Sequence, residues 1–203
     1  MNIFSIVLFV IILAVFASIH ECAHGWVAYK LGDPTAKYAG RLTLNPLAHI
    51  DPMGSIFLPL FLLLITGGRF AFAAAKPVPV NFNNLRNPRR DMIWVGLAGP
   101  GSNFLCAIIL SLLLKIPFLG FLSSLFQIAI FINMILAVFN LIPIPPLDGS
   151  RVLMGLLPRE LAYSYARLEP YGFFILMGLI FMGLINIIFP IITGLCRMLG
   201  VNL

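Results

Sequence analysis

Charge is what this chain has least of. Asp, Glu, Lys and Arg make up only 10% of its 203 residues, against about 25% in a soluble domain. Hydrophobic residues make up 61%, and the mean hydropathy is +1.03. A soluble globule cannot expose that much apolar surface, so the composition excludes a water-soluble fold. Cysteine is scarce as well: Cys22, Cys106 and Cys196 are scattered, odd in number and without C-x-x-C spacing. That excludes a disulfide framework and a zinc knuckle, and leaves them as small packing residues. Cationic runs are missing too, since none exceeds Arg89-Arg90, and no basic-aromatic patch occurs. The net charge of +6 therefore does not point to nucleic acid; it fits the Lys and Arg that gather in cytoplasmic loops. Internal repeats are lacking, and no stretch leaves room for an appended soluble domain.

What is there is a series of apolar runs, several close to the ~20 residues that span a bilayer. The first, about Ile3 to Tyr29, ends at "KLGDP", where Gly32 and Pro34 are stop signals. It lacks the positive n-region of a signal peptide and leads directly into His20, so it reads as a retained membrane helix. Residues 37–45, "KYAGRLTLN", alternate loosely and suggest a short strand. Ser55–Thr66 is apolar but holds only 12 residues. "AKPVPVNFNN" has prolines that favour extended backbone. Met92–Leu114, Phe118–Ile142 and Phe173–Ile192 are further spans, with a polar, proline-rich segment from Pro143 to Pro170 before the last. The fold expected is an all-α polytopic membrane protein, residues 1–203 forming one domain. It has four spanning helices (five if Ser55–Thr66 crosses), a re-entrant segment and a short β-element.

The basic residues decide between the two topologies. If Ser55–Thr66 dips in and returns to the side it left, 11 of the 13 Lys and Arg share one face, with only Lys115 and Arg197 opposite. The positive-inside rule favours that arrangement and makes the crowded face cytoplasmic. A run of 10–14 apolar residues is also the length of a re-entrant segment, whose polar backbone must be buried in protein or line a wet cavity.

In this setting stands "FASIHECAHGWV", three metal-capable side chains at the end of an apolar run. His20 and His24 are four apart, so on a helix they share one face. Two imidazoles at that spacing can hold one zinc ion, with Glu21 beside them as general base on a metal-activated water. Ionisable residues within a membrane helix are functional by default, and only three histidines exist in the chain. A catalytic zinc takes three protein ligands and keeps one position open. Candidates for the third are His49, Asp33, Asp51, Asp91, Asp148, Glu160 and Glu169. The re-entrant topology carries Asp148, just past the Phe118–Ile142 helix, to the same face as His24. Geometry alone leaves Asp51 and Asp91 open.

Three motifs taken together, "HECAHG", "GPGSN" (Gly99–Asn103) and "NLIPIPPLDG" (Asn140–Gly149), resemble the site-2 protease family of intramembrane zinc metalloproteases. The resemblance covers nearly the whole chain. It implies one Zn²⁺ per chain, held by His20, His24 and Asp148, with Glu21 as catalytic base. It also implies transmembrane protein or peptide substrates and a membrane re-entrant β-element. Such an enzyme lies in the cell membrane, with its active site near the cytoplasmic face. Asn103 and Asn140, at helix ends on that side, are candidates to bind the substrate or the developing oxyanion, or else act as caps and interhelical ties. His49, a lone histidine, reads as structural. Zinc proteases with a glutamate third ligand fit less well, because neither Glu160 nor Glu169 has a helical E-x-x-x-D setting. The alternative outside enzymology is a multi-pass transporter or channel whose H-E-x-x-H merely binds ions; Glu21→Gln would then leave function intact.

Overall fold

A computed structural model describes residues 3–57, 61, 64, 67 and 76–201. The chain forms α1 (Ile3–Lys30), α2 (Pro88–Leu114), α3 (Ser123–Asn140), α4 (Asp148–Leu156), α5 (Arg159–Ala166), α6 (Gly172–Phe181) and α7 (Leu184–Met198). A single helical turn, Thr35–Tyr38, follows α1, and short tight-helix turns cover Pro46–His49, Phe82–Asn84 and Pro117–Leu122. Among the described residues, three helices are long and apolar enough to cross a membrane, and a fourth crossing exists if the bent pair α6–α7 makes one span. The protein is a multi-pass, helical membrane protein.

α2 is the central element and packs against α1, α3 and α4. It begins at Pro88, whose missing N–H is no loss at the first helical position, and Asp91 accepts a hydrogen bond from the Asn87 N–H at 2.8 Å. Three apolar clusters hold the bundle. Ala107, Ile130, Met134, Ile188, Ile192 and Cys196 join α2, α3 and α7. Ile12, Ala129 and Ile132 join α1 to α3. Ala28, Leu85 and Val95 join the end of α1 to α2 through the segment before it. The outer faces stay apolar: Val7, Val10, Ile11 and Val15 on α1, and Leu105, Ile108, Ile109 and Leu112 on α2, are exposed. A patch that size is a liability in water and a lipid contact in a bilayer. All three cysteines are unpaired, with Cys196 fully buried.

The ends of the α1–α2 connection meet. The Arg86 N–H donates to the Leu31 carbonyl at 3.0 Å, and the Lys76 N–H donates to the His49 carbonyl at 2.9 Å. His49 and Lys76 are thus neighbours, although 27 positions separate them in the sequence. Ser55–Thr66 lies largely outside the described residues. Asp33 pins this junction: its carboxylate accepts from the Asn81 N–H at 2.7 Å, the Thr35 N–H at 3.1 Å and the Asn84 amide at 2.9 Å.

Two expectations are corrected. Arg41–Asn45 has no regular secondary structure, no strand occurs among the described residues, and Thr35–Tyr38 coils into one helical turn. The stretch is held by side chains instead of a ladder: the Arg41 guanidinium donates to the Lys76 carbonyl at 2.8 Å, and the His49 Nε2–H donates to the Thr43 carbonyl at 2.9 Å. The span expected over Phe173–Ile192 is not continuous. It breaks at Gly183, where φ is +100°, a conformation that favours glycine, and the two halves bend by 80°. Pro190 lies inside α7 and does not end it.

Candidate metal centre

His20 and His24 both lie in α1, on its buried side, 5% and 8% exposed. Each imidazole is fixed at Nδ1. His24 Nδ1 lies 2.6 Å from the Val95 carbonyl of α2, and His20 Nδ1 lies 2.6 Å from Asn103 Oδ1, also of α2. Both partners only accept, so both Nδ1 atoms carry the proton and both Nε2 atoms present a lone pair.

Those lone pairs meet a carboxylate from far along the chain. His20 Nε2 and His24 Nε2 are 3.1 Å apart, and Asp148 Oδ2 lies 3.0 Å from the first and 3.2 Å from the second. The chain can turn this tightly after α3 because residue 149 is glycine; a Cβ there would run into the Leu141 and Ile142 carbonyls. Asp148 consequently becomes the first residue of α4, facing α1.

The donor set fits a divalent metal. Three lone-pair-bearing atoms at 3.0–3.2 Å repel one another unless a cation or shared proton lies among them. Ligand bonds of about 2.0–2.2 Å in a tetrahedral zinc site place ligand atoms about 3.3 Å apart. Space is reserved as well. A Cβ on Gly99 would stand 2.5 Å from His20 Nε2 and closer still to His24 Nε2, so only glycine leaves the pocket open on this side. Among the described residues, His20, His24 and Asp148 are the one group of three such side chains able to share an ion.

Glu21 follows His20 by one residue and borders the same face of α1. Its Oε2 accepts the Val78 N–H at 2.8 Å, from the segment before α2. Asn103 is fully buried and engaged: its Oδ1 holds His20, and its amide donates to Asn133 Oδ1 at 2.9 Å. Asn140 donates to the Leu136 carbonyl of its own helix at 2.8 Å. The remaining candidates for a third ligand are elsewhere. Asp33 and Asp91 serve the loops described above. Asp51 accepts the Gly54 N–H at 2.7 Å, Glu169 pairs with Arg151, and Glu160 is exposed on α5. His49 is buried among the non-helical segments, away from the metal group.

Gly99 opens the GPGSN motif, whereas Val95, Val78 and Asn133 were not reachable from spacing alone. Asn133 did carry a signal, as a polar residue inside an apolar span.

A bundle of membrane helices with two histidines and an aspartate converging at its core defines a class: multi-pass membrane proteins with a buried metal site. The sequence comparisons then place it. The family model described as "Peptidase family M50" matches residues 8–120 and 114–183, and the chain belongs to that family. Two curated relatives are each named "Putative zinc metalloprotease". YwhC of Bacillus subtilis is 41% identical over 84% of this chain and 78% of its own length. Rip2 of Mycolicibacterium smegmatis is 31% identical over 83% of this chain and 64% of its own length. A third relative so named, MJ0611 of Methanocaldococcus jannaschii, is 33% identical over 74% of this chain and 72% of its own length. No solved structure matches the chain.

Proposed function

We propose that this chain is an intramembrane zinc metalloendopeptidase of the site-2 protease type, hydrolysing peptide bonds within or near transmembrane segments of membrane-protein substrates. The observation that carries the reading is the 3.0–3.2 Å triangle of His20 Nε2, His24 Nε2 and Asp148 Oδ2, with Glu21 between the two histidines on the same helical turn. These three side chains hold one Zn²⁺. When bound, such an ion acidifies water and polarises a carbonyl.

The chain's own residues do the rest. Val78 N–H occupies Glu21 Oε2, which leaves Oε1 to take the proton of the attacking water and pass it to the leaving amine. Asn103, committed to His20 and Asn133, serves the site by holding His20. Asn140, at the end of α3, is the remaining candidate to bind the substrate or the developing oxyanion.

A transmembrane helix hides its peptide bonds in intrahelical hydrogen bonds and must unwind before it is cut. Arg41–Asn45 and Lys76–Val80 both lie outside helices, the Arg41 guanidinium ties one to the other, and Val78 reaches Glu21, so an unwound substrate can pair along Arg41–Asn45. The segment between them is re-entrant; the His49–Lys76 and Leu31–Arg86 hydrogen bonds support this, since both ends must share a face. That topology sets the site near the basic, cytoplasmic face of the cell membrane.

The test is a proteomic comparison of membrane peptides in cells carrying wild-type protein or Glu21→Gln. Accumulation of uncut membrane fragments with Glu21→Gln is expected, matching a loss of cleavage on the order of 10²- to 10⁴-fold. Identical peptide profiles would count for a transporter that only binds ions.

A further inference from the structure

We propose that Asn133, in the middle of α3, is a positioning residue for the metal centre, acting through Asn103 to fix the tautomer of His20. The inference rests on the metal-site reading given above. His24 is anchored in one step, by the main-chain carbonyl of Val95. His20 is anchored instead through two side chains. Its Nδ1–H donates to Asn103 Oδ1 at 2.6 Å, the Asn103 amide donates to Asn133 Oδ1 at 2.9 Å, and the Asn133 amide donates to the Ala129 carbonyl at 2.8 Å.

The last link gives the chain its direction. A main-chain carbonyl can only accept. Asn133 must therefore turn its NH₂ toward Ala129 and its Oδ1 toward Asn103. Asn103 must then turn its NH₂ toward Asn133 and its Oδ1 toward His20. The proton is forced onto Nδ1, and the Nε2 lone pair is left for the metal. Asn103 and Asn133 are both 0% exposed, so no water competes for these bonds. Without Asn133 the Asn103 amide loses its partner and is free to flip. A flipped amide would donate to Nδ1 and move the His20 proton onto Nε2, where it blocks coordination. Groups that orient a metal-binding histidine commonly change metal affinity by on the order of 10- to 100-fold.

A plain interhelical tie between α2 and α3 would affect stability without touching the tautomer, and the experiment separates the two. The protein is labelled with ¹⁵N-histidine, which reports only three imidazoles, and studied metal-free at alkaline pH. Zn²⁺ affinity is measured in parallel by competition with a chelator. In wild type, His20 should show the Nδ1–H tautomer. Asn133→Leu should shift it toward Nε2–H and weaken Zn²⁺ binding on the order of 10- to 100-fold. Asn133→Asp keeps an acceptor for the Asn103 amide in either protonation state and should restore tautomer and affinity. The proposal is overturned if wild-type His20 carries its proton on Nε2, if Asn133→Leu keeps wild-type tautomer and affinity, or if Asn133→Asp binds no better than Asn133→Leu. Should Asn133→Leu not fold, the wild-type tautomer and Asn133→Asp still decide. Absence of Zn²⁺ binding by wild type would instead overturn the metal-site reading.

Discussion

At Gly99 the backbone of α2 passes so close to both imidazoles that one added methyl group would fill the metal pocket. Gly99→Ala is expected to abolish Zn²⁺ binding while the bundle stays folded. Gly101→Ala, two residues on with nothing within 4 Å of its Cβ, should bind normally. Metal content of the two purified variants checks this, and equal content would show that the pocket lies elsewhere. Asp33 belongs to the same scale. Burial would raise its pKa, but hydrogen bonds from Thr35, Asn84 and Asn81 bring it below the ordinary value. Its contribution to stability is thus full above the unfolded carboxyl pKa, about 3.9, and fades only as pH falls through the lower folded value. Asp33→Ala leaves buried donors unpaired and should cost about 1–3 kcal/mol, read as a lower unfolding temperature at neutral pH with Zn²⁺ content unchanged. His20, Glu21 and His24 were legible because an H-E-x-x-H pattern stands out in an apolar helix. Asp148 needed the three-motif resemblance, since Asp51 and Asp91 were equally open by geometry. Asn133 was hidden because an apolar run reads as a span before its lone polar residue is questioned.

Elements with one unbroken signal were read correctly. α1 is expected from about Ile3 to Tyr29 and found at Ile3–Lys30, because nothing interrupts its apolar run before the Gly32-Asp33-Pro34 stop. Competing signals hid the rest. Two helices, α4 and α5, lie within the proline-rich stretch 143–170, since Pro146 and Pro158 precede helices without entering them. The last apolar run bends at Gly183 because left-handed backbone there outweighs continuous hydropathy. Gly183→Ala should strain that bend by about 1–2 kcal/mol, seen as reduced thermal stability with unaltered metal content. The non-helical pieces beside Glu21 carry the functional prediction for elements. Pro in place of Leu42 should impair cleavage of membrane substrates while Zn²⁺ binding persists; unchanged cleavage would remove Arg41–Thr43 from substrate binding.

At the scale of the molecule, the balance is between an apolar exterior and a small polar core. Exposed apolar side chains such as Ile11 and Ile108 offer no ligand atom to an ion. The polar groups are therefore gathered where α1, α2 and α4 meet, each imidazole tied to a carbonyl oxygen. The whole-chain claim is that one Zn²⁺ is shared by side chains 128 residues apart. Metal content of the purified protein in detergent tests it most directly, compared across wild type, Glu21→Gln and Asp148→Ala. About one zinc per chain in wild type and Glu21→Gln, and close to none in Asp148→Ala after dialysis against a weak chelator, is the expected result. Wild-type zinc content in Asp148→Ala would contradict the account.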